Sequence, residues 1–483
     1  MEAKSDDTLK SRAAKGFLWG GLNNGMVQLL SALFGIVLLR LLSPDDYGRY
    51  AKLLVFANIA STLQESGFTA ALCNLPHPTH HDYNAVFWCN VGIGGFLYCL
   101  LFLCAPAIAG FYGDPTLISL SRYLFLGFFI SSLGTAQRAY LFIHLMNRES
   151  CIIAITSVIL SNAVGVTMAL LGFAYWALAT QNILFILVVA VMNWYYSPWH
   201  PTLNIHLQPA IRMFGFGSKL MLTNIINRLS SNAFDFLLGK FYGNHLTGIY
   251  SNARKWNDMG ANTITGMLTG VAQPILSGLH DDVARCRAAF RKMMRFVSFV
   301  SFPCLLGIGL IAPEFIHIVA GDKWAKSAGY LSLLCLYGAV SPLQALYGQL
   351  IISRGQSNIN MWSTISLSTL VLAGLVFLYP HGLTAMVTYF VALNIAWLLV
   401  WQYFAHRLIH LSLWEALSDM VPFFVVSLLV MSLTWWLTHS IVNVYLLLAA
   451  KMLLAISLYT GLMWLSGAKV MQESIQFIRT RKI

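Results

Sequence analysis

Apolar segments long enough to cross a membrane follow one another along almost the whole chain, separated by polar breaks of only a few residues. Residues 84–110 and 421–438 are two examples. The hydrocarbon core of a bilayer takes about 20 residues of helix. Lipid offers no hydrogen-bond partner to backbone N–H and C=O groups, so such segments must be helical. The pattern therefore predicts an all-α polytopic membrane protein.

The pattern resolves into about fourteen transmembrane helices. The first apolar run has the full length of a span and lacks a signal-peptide cleavage site, so we expect it to remain as the first helix. The predicted spans are 16–40, 47–71, 84–111, 117–143, 150–171, 174–195, 213–240, 246–272, 292–312, 327–352, 358–379, 383–405, 419–438 and 442–466.

Charge is scarce and unevenly placed. Hydrophobic residues make up 58% of the chain and charged residues 10%, which leaves no room for a sizeable soluble domain. The net charge of +12 comes mostly from Lys and Arg in alternate loops and at both ends. Cytoplasmic loops carry this excess, so both termini are predicted to be cytoplasmic. The positive charge indicates membrane anchoring, and we expect no nucleic-acid partner.

Few residues are typical of metal sites or catalysis. The eight cysteines form no CxxC pair and lie mostly within spans, as apolar packing residues do. The loop HPTHHD contains His77, His80, His81 and Asp82, which could bind a metal, although a solvated loop is the alternative. No GxSxG, Walker or HExxH motif is present. The sequence therefore predicts a protein that is not an enzyme, without a metal site or a bound cofactor.

The chain contains an internal repeat at an offset of 200 residues, for example from 24 to 224. Four polar or glycine matches are the strongest indication: Asn24 with Asn224, Ser31 with Ser231, Gly48 with Gly248, and Tyr50 with Tyr250. Coincidence between two hydrophobic helices is the alternative. Six spans separate the copies, so both run outwards from the cytoplasm, which is a parallel repeat about the membrane normal.

The repeat predicts the domain organisation. We expect a six-helix lobe over 16–200, a second over 201–405 and two further helices over 406–466. A cytoplasmic N-terminus over 1–15 and a basic cytoplasmic tail over 467–483 flank them. Asp281 and Asp282 precede a basic segment, which indicates an N-capped amphipathic helix over 283–290, lying on the membrane surface as a linker between the lobes.

Polar residues form stripes inside several predicted spans. The seventh span carries them at spacings that share one helical face: Asn224, Arg228, Ser231 and Asp235. The first span repeats part of this stripe as Asn24, Gln28 and Ser31. The eighth span carries Arg254, Asp258 and Asn262 at successive i+4 steps, with Lys255 beside them, and the second span carries Lys52.

Two interpretations of these charges stay open. In the first, four cations line a hydrated cavity and bind a phosphate or pyrophosphate: Arg228, Arg254, Lys255 and Lys52. Arginine suits this role because its planar, permanently charged fork can bind two phosphate oxygens. In the second, the charges neutralise one another inside the protein, Arg254 with Asp258 and Arg228 with Asp235.

Several segments resemble a known family. They are KGFLWGGLNNGMVQLLSALFGIVLLRLLSPDDYGRYA (15–51), ESGFTAAL (65–72), GIYSNARKWNDM (248–259), PILSGLHDD (274–282), FRKMMRFVSFVSFP (290–303) and GDKWAKSAGYLSLLCL (321–336). Over nearly its whole length the chain resembles Wzx-type polysaccharide transporters, in the colanic-acid-exporter-like branch. These are lipid-linked oligosaccharide flippases of the multidrug/oligosaccharidyl-lipid/polysaccharide superfamily.

The resemblance implies a function. It implies two six-helix lobes plus two C-terminal helices, in the bacterial inner membrane. It also implies export by alternating access of undecaprenyl-pyrophosphate-linked units for O-antigen, capsule or exopolysaccharide. Membrane lipids, a glycan polymerase and chain-length proteins would be the partners. Related flippases use arginines on the first, second and eighth helices, where this chain has Asn24 with Gln28, then Lys52, then Arg254.

Coupling and competing functions complete the expectations. Asp235 and Asp258 are the candidates for coupling to H⁺ or Na⁺, because buried carboxylates can titrate or bind ions. A cation-coupled drug or metabolite antiporter of the same superfamily is the first alternative function. A membrane enzyme of glycan assembly is the second alternative function. Such an enzyme would need a large extramembrane loop, and the sequence has only short connections between the predicted spans.

Overall fold

The structure is a computed structural model, and it describes residues 26–65, 72, 78–144, 146–203, 208, 232–279 and 282–466. The chain divides into two compact units, Met1–Gly248 and Ile249–Ile483. All the regular elements in the described ranges are helices, which confirms the predicted all-α class. The boundary between the units falls inside a helix, downstream of the predicted lobe boundary at residue 200, and the predicted lobes stay a prediction.

The first unit contains α1 to α8 and the first turns of α9. Their bounds are α1 Met26–Leu41, α2 Pro44–Glu65, α3 His80–Tyr112, α4 Leu117–Ser132, α5 Thr135–Ile143, α6 Asn147–Leu170, α7 Tyr175–Tyr196 and α8 Ala233–Phe241.

The second unit contains the rest of α9 (Gly243–Gly278) and the helices that follow it. These are α10 Val283–Ala320, α11 Ala325–Ser353, α12 Ser357–Leu378, α13 Leu383–Ile409, α14 Leu413–Thr438 and α15 Val444–Leu465. Short 3₁₀ turns at Asp322–Trp324 and Tyr379–His381 precede α11 and α13.

The span count agrees with the prediction only in part. Among the described residues, 9 helices are long and apolar enough to cross a membrane, or up to 10 if the bent pair α4 and α5 is one span. The other predicted spans correspond to α1, which is apolar and begins at the first described residue, to the more polar helices α2 and α9, and to 213–240. Most of that last span lies outside the described residues, so fourteen stays a prediction.

One predicted span is broken. The sequence predicts a continuous helix over 117–143, but α4 and α5 meet at 45°. At the break, Gly134 lies so close to α7 that an added Cβ would be 3.1 Å from Ala190 Cα. The indole of Trp194, also on α7, donates a 2.6 Å hydrogen bond to the Leu133 carbonyl oxygen. Helix α7 therefore supplies a hydrogen-bond donor to the Leu133 carbonyl at the break. The hydropathy of the sequence gives no indication of this break.

Helix α10 is longer than predicted. Asp282 caps it by accepting a 2.9 Å hydrogen bond from the Arg285 N–H, as expected. The predicted surface helix over 283–290 is wrong as a separate element, because α10 continues without interruption for 38 residues. Two prolines lie inside it, Pro303 and Pro313. Each removes the N–H that would bond the carbonyl four residues earlier.

Side chains from neighbouring helices satisfy both released carbonyls of α10. The Tyr459 hydroxyl on α15 donates to the Phe299 oxygen at 2.9 Å. The Ser332 hydroxyl on α11 donates to the Gly309 oxygen at 2.8 Å. Because proline usually kinks or breaks a helix unless these groups find partners, the two hydroxyls explain how α10 stays one helix. They also fix α11 and α15 against it.

Candidate functional site

Helix α9 brings the predicted residues of the eighth span onto one surface. Arg254, Asp258 and Asn262 follow one another at i+4 along the helix, as predicted. The Arg254 Nε atom donates to Asp258 Oδ2 at 3.3 Å. Lys255 and Asn262 are exposed, and Asp258 is 40% exposed. The surface thus has two cations and one carboxylate, so it is net positive.

The other face of α9 packs into the second unit through polar contacts of its own. Asn252 donates to the Ser327 hydroxyl at 3.3 Å, and that hydroxyl donates to the Ile249 carbonyl at 3.1 Å. The rings of Trp256 and Phe315 form an edge-to-face contact, with 4.9 Å between their centroids. Polar residues on both faces explain why α9 is too polar to pass as an ordinary lipid-facing span.

Lys52 lies in a different environment. It is only 2% exposed, and its ammonium group lies 5.0 Å from the centre of the Tyr112 ring. Gly239 on α8 covers its stem so closely that an added Cβ would be 2.8 Å from Lys52 Cγ. In this conformation Lys52 is enclosed rather than open to a cavity. Its predicted binding role stays a prediction.

The remaining predicted residues are only partly described. Asp235 is buried in α8, and next to that helix Asn58 donates to Asn232 at 3.0 Å. On α1, Gln28 is exposed and Ser31 is half-buried. Four of the predicted residues lie outside the described ranges: Asn24, Asn224, Arg228 and Ser231. The predicted pairing of Arg228 with Asp235 therefore stays untested.

His80 of the HPTHHD loop makes protein contacts with both ring nitrogens. The Trp199 indole donates to its Nδ1 at 2.9 Å, and its Nε2 lies 3.3 Å from the Thr202 hydroxyl. Asp82 completes a capping box with Thr79 at the start of α3. These contacts favour a structural role in which the start of α3 anchors the segment around residue 200. His77 lies outside the described residues.

Comparison with known proteins identifies the family. The profile of a family described as "Polysaccharide biosynthesis protein" matches residues 37–329, which is more than half of the chain. The protein belongs to this family. It is 30% identical to the teichuronic acid biosynthesis protein TuaB of Bacillus subtilis (strain 168), over 71% of this chain and 69% of TuaB. It is 25% identical to the lipopolysaccharide biosynthesis protein WzxC of Escherichia coli (strain K12), over 73% and 72%.

A solved structure supports the fold. The lipid II flippase MurJ, in an inward closed conformation, matches with a TM-score of 0.74, covering 92% of this chain and 97% of that one, at 12% identity. At this identity the match shows a shared helical membrane fold and no more. The match confirms the polytopic helical class, and the family profile with the relatives confirms the resemblance to Wzx-type transporters.

Within this family member, the structure reveals charge clusters that the sequence analysis did not single out. Arg291 on α10 donates to Asp419 on α14 at 2.6 Å and to Glu415 at 3.0 Å. Arg287 also pairs with Glu415, and Arg295 Nε lies 3.7 Å from Asp419. In the sequence these arginines are part of the loop charge that predicts the topology. Their i+4 spacing, matched by the i+4 spacing of the two acids, was the available signal.

A second cluster surrounds Asp114 in the loop after α3. Thr116 donates to its Oδ1 from the backbone at 3.1 Å and from the hydroxyl at 2.6 Å. Arg49 and Asn244 donate to its Oδ2 at 3.2 and 3.1 Å. Burial acts to raise the pKa of Asp114, but these hydrogen bonds outweigh it and hold the pKa below the ordinary value. The cluster joins the start of α2 to the start of α9 within the first unit.

Proposed function

We propose that this protein is a flippase that moves polyprenyl-pyrophosphate-linked oligosaccharide units from the cytoplasmic to the outer leaflet of the bacterial inner membrane. The observation that carries the proposal is the net positive surface of α9, where Lys255 is exposed and Arg254 is half-buried, in a chain of the polysaccharide biosynthesis family. Its relatives are named for the biosynthesis of teichuronic acid and lipopolysaccharide. A transport role rather than an enzymatic one fits these relatives and the fold of the lipid II flippase MurJ.

The substrate class explains why such a surface is useful. A charged sugar-pyrophosphate head group cannot cross hydrocarbon unaided, whereas its polyprenyl tail is soluble there. The protein therefore has to shield only the head group, in a polar cavity that opens to each side in turn. Positive charge in a cavity of low dielectric constant attracts pyrophosphate more strongly than the same charge in water. Arg254 adds planar, two-point hydrogen bonding to that attraction.

The remaining predictions belong to the same proposal. Arg228 and Lys52 would supply further positive charge during the cycle, and Asp235 and Asp258 would couple it to H⁺ or Na⁺. The polar lining would come from Asn24, Gln28, Ser31, Asn224, Ser231 and Asn262. Both termini would lie in the cytoplasm, and a glycan polymerase and chain-length proteins would act on the exported units.

Substitution of Arg254 tests the proposal. In a strain that lacks the chromosomal gene, Arg254→Ala should abolish surface glycan without lowering the amount of protein in the membrane. Arg254→Lys should restore part of the export, because it keeps the charge and loses the fork. Arg285→Ala is the matched control, since Arg285 is 79% exposed at the start of α10 and pairs with Asp282 of its own cap.

The double variant Arg254→Ala/Asp258→Ala separates binding from structural pairing. A stable but inactive double variant would show that the two residues act in transport beyond their pairing, and partial recovery in Arg254→Lys would then assign the binding of the head group to the charge of Arg254. Recovery of both protein level and export would show instead that the 3.3 Å pair only stabilises α9. In that case the proposed role of Arg254 would be wrong.

A further inference from the structure

Two lone charges of opposite sign meet inside the second unit. Lys451 is the only charged residue of α15, and Glu314 is the only acidic residue of α10. The Lys451 Nζ atom lies 2.6 Å from Glu314 Oε1. Their side chains are only 6% and 10% exposed. Ionisable residues at membrane depth are costly, so they usually mark a functional site.

Each partner of the ion pair has a second possible contact: a backbone carbonyl for Lys451 and a proton for Glu314. Lys451 also donates to the Leu310 carbonyl oxygen at 3.4 Å. Glu314 Oε2 is buried, and within the described part of the chain it has no hydrogen-bond partner. His317, one turn further along α10, pairs instead with Asp322 at 2.6 Å. Among the described residues, Lys451 is therefore the charged group that pairs with Glu314, and one carboxylate oxygen remains open to a proton.

Loss of the negative charge would make the paired arrangement unfavourable. A protonated Glu314 is neutral, which would leave the Lys451 cation buried beside only a backbone carbonyl. Lys451 lies seven residues after Val444, about 10 Å from the start of α15 at 1.5 Å per residue. A lysine at this depth can extend its stem so that the ammonium group reaches the membrane interface. The pair therefore has two distinct arrangements.

We propose that Glu314 and Lys451 form a proton-responsive switch of the transport cycle. Uptake of a proton from water by Glu314 breaks the pair and lets Lys451 extend towards the near membrane interface, which shifts α15 against α10. Loss of the proton to water restores the ion pair. This inference rests on the proposed flippase function and places the coupling between α10, in the predicted second lobe, and α15, which lies beyond it, apart from Asp235 and Asp258.

The test uses the whole protein in vesicles of phosphatidylethanolamine and phosphatidylglycerol. The probe is a fluorescent short-chain polyprenyl-pyrophosphate disaccharide, whose movement between leaflets is followed by dithionite quenching under an imposed pH difference. A step that depends on one proton can change the wild-type rate by up to about tenfold per pH unit. Glu314→Gln alone would strand Lys451, so the decisive variant is the neutral pair Glu314→Gln/Lys451→Met.

The double variant should accumulate like the wild type, and its rate should no longer respond to pH. Tyr459→Phe is the matched control, because it removes an uncharged contact between the same two helices and should keep the full pH response. An unchanged pH response in the double variant, or none in the wild type, would overturn the inference and leave the flippase proposal standing. If the wild type moved no probe above empty vesicles, the proposed function would fail, and this inference with it.

Discussion

Gly48 and Gly248, which the internal repeat relates to each other, should tolerate no side chain. An added Cβ on Gly48 would lie 2.6 Å from the carbonyl carbon and 2.8 Å from the Cα of Asn244, and closer still to that carbonyl oxygen. An added Cβ on Gly248 would press in the same way on the carbonyl of Pro44. Since Pro44 and Asn244 are also repeat-related, the first turns of α2 and α9 meet reciprocally, backbone against backbone.

The cost of Gly48→Ala follows from this geometry. Restoring an ordinary contact of 3.4 Å from 2.6 Å requires the two turns to separate by at least roughly 1 Å, because the carbonyl oxygen lies nearer still, and no side chain can rotate away instead. Overpacking typically costs about 1–3 kcal/mol, and a contact between two backbones lies at the upper end of that range because neither side can repack. The gain in helix propensity from Gly to Ala is about 1 kcal/mol. We therefore expect a net loss of about 2 kcal/mol, or roughly 4–8 °C in melting temperature for a unit of this size.

Thermal unfolding of the purified protein in detergent checks this expectation. Gly92→Ala on α3 is the matched control, because nothing lies within 4 Å of its added Cβ. The control should melt at or slightly above the wild-type temperature. Equal melting temperatures for Gly48→Ala and Gly92→Ala would refute the reasoning, since they would mean that the two turns are not in contact.

Two further predictions concern acid stability and topology. The depressed pKa of Asp114 means that its contribution to stability is present above its ordinary pKa of 3.8 and is lost as the pH falls through the lower folded-state value. In thermal unfolding, Asp114→Asn should therefore be less stable than the wild type at neutral pH and less sensitive to acid. An acid profile equal to that of the wild type would contradict this. Reporter fusions at Ser43 and Pro380 should report the periplasm and fusions after Asp281 the cytoplasm, and a cytoplasmic signal at Pro380 would break the fourteen-span topology.

The sequence predicted most of the helices because a span is a local property. About 20 consecutive apolar residues are enough to define one, and α3, α6, α7 and α10 to α15 followed from that rule. The break at Leu133 and Gly134 did not, because it depends on how closely α7 approaches and on the indole of Trp194. An apolar run has the same hydropathy whether the helix that it forms is straight or bent. Length and hydropathy therefore predict that a span exists, and only packing decides its shape.

The same distinction applies to the charged residues. The contact between Arg254 and Asp258 is four residues apart on one helix, so helical spacing alone predicted it. Arg291 and Asp419 are 128 residues apart, and nothing in the local sequence of either indicates the other. Lys52 was predicted to face a cavity, yet α8 and Tyr112 enclose it in this conformation. The sequence shows where such charged residues are. It does not show which residues they pair with, because those partners come from distant segments of the chain.

The contacts of α10 explain why the two C-terminal helices belong to the second unit rather than being attached loosely to it. They meet α10 at three levels: Arg291 with Glu415 and Asp419, the Phe299 carbonyl with Tyr459, and Glu314 with Lys451. At the levels of Phe299 and Glu314, removing α15 would leave a proline-released carbonyl or a charge without its partner, which is costly at membrane depth. The contacts at Phe299 and Glu314 both join α10 to α15, but only the contact at Glu314 is ionic. A change of charge at Glu314 therefore acts on the start of α15 and leaves the ion pairs between α10 and α14 unchanged.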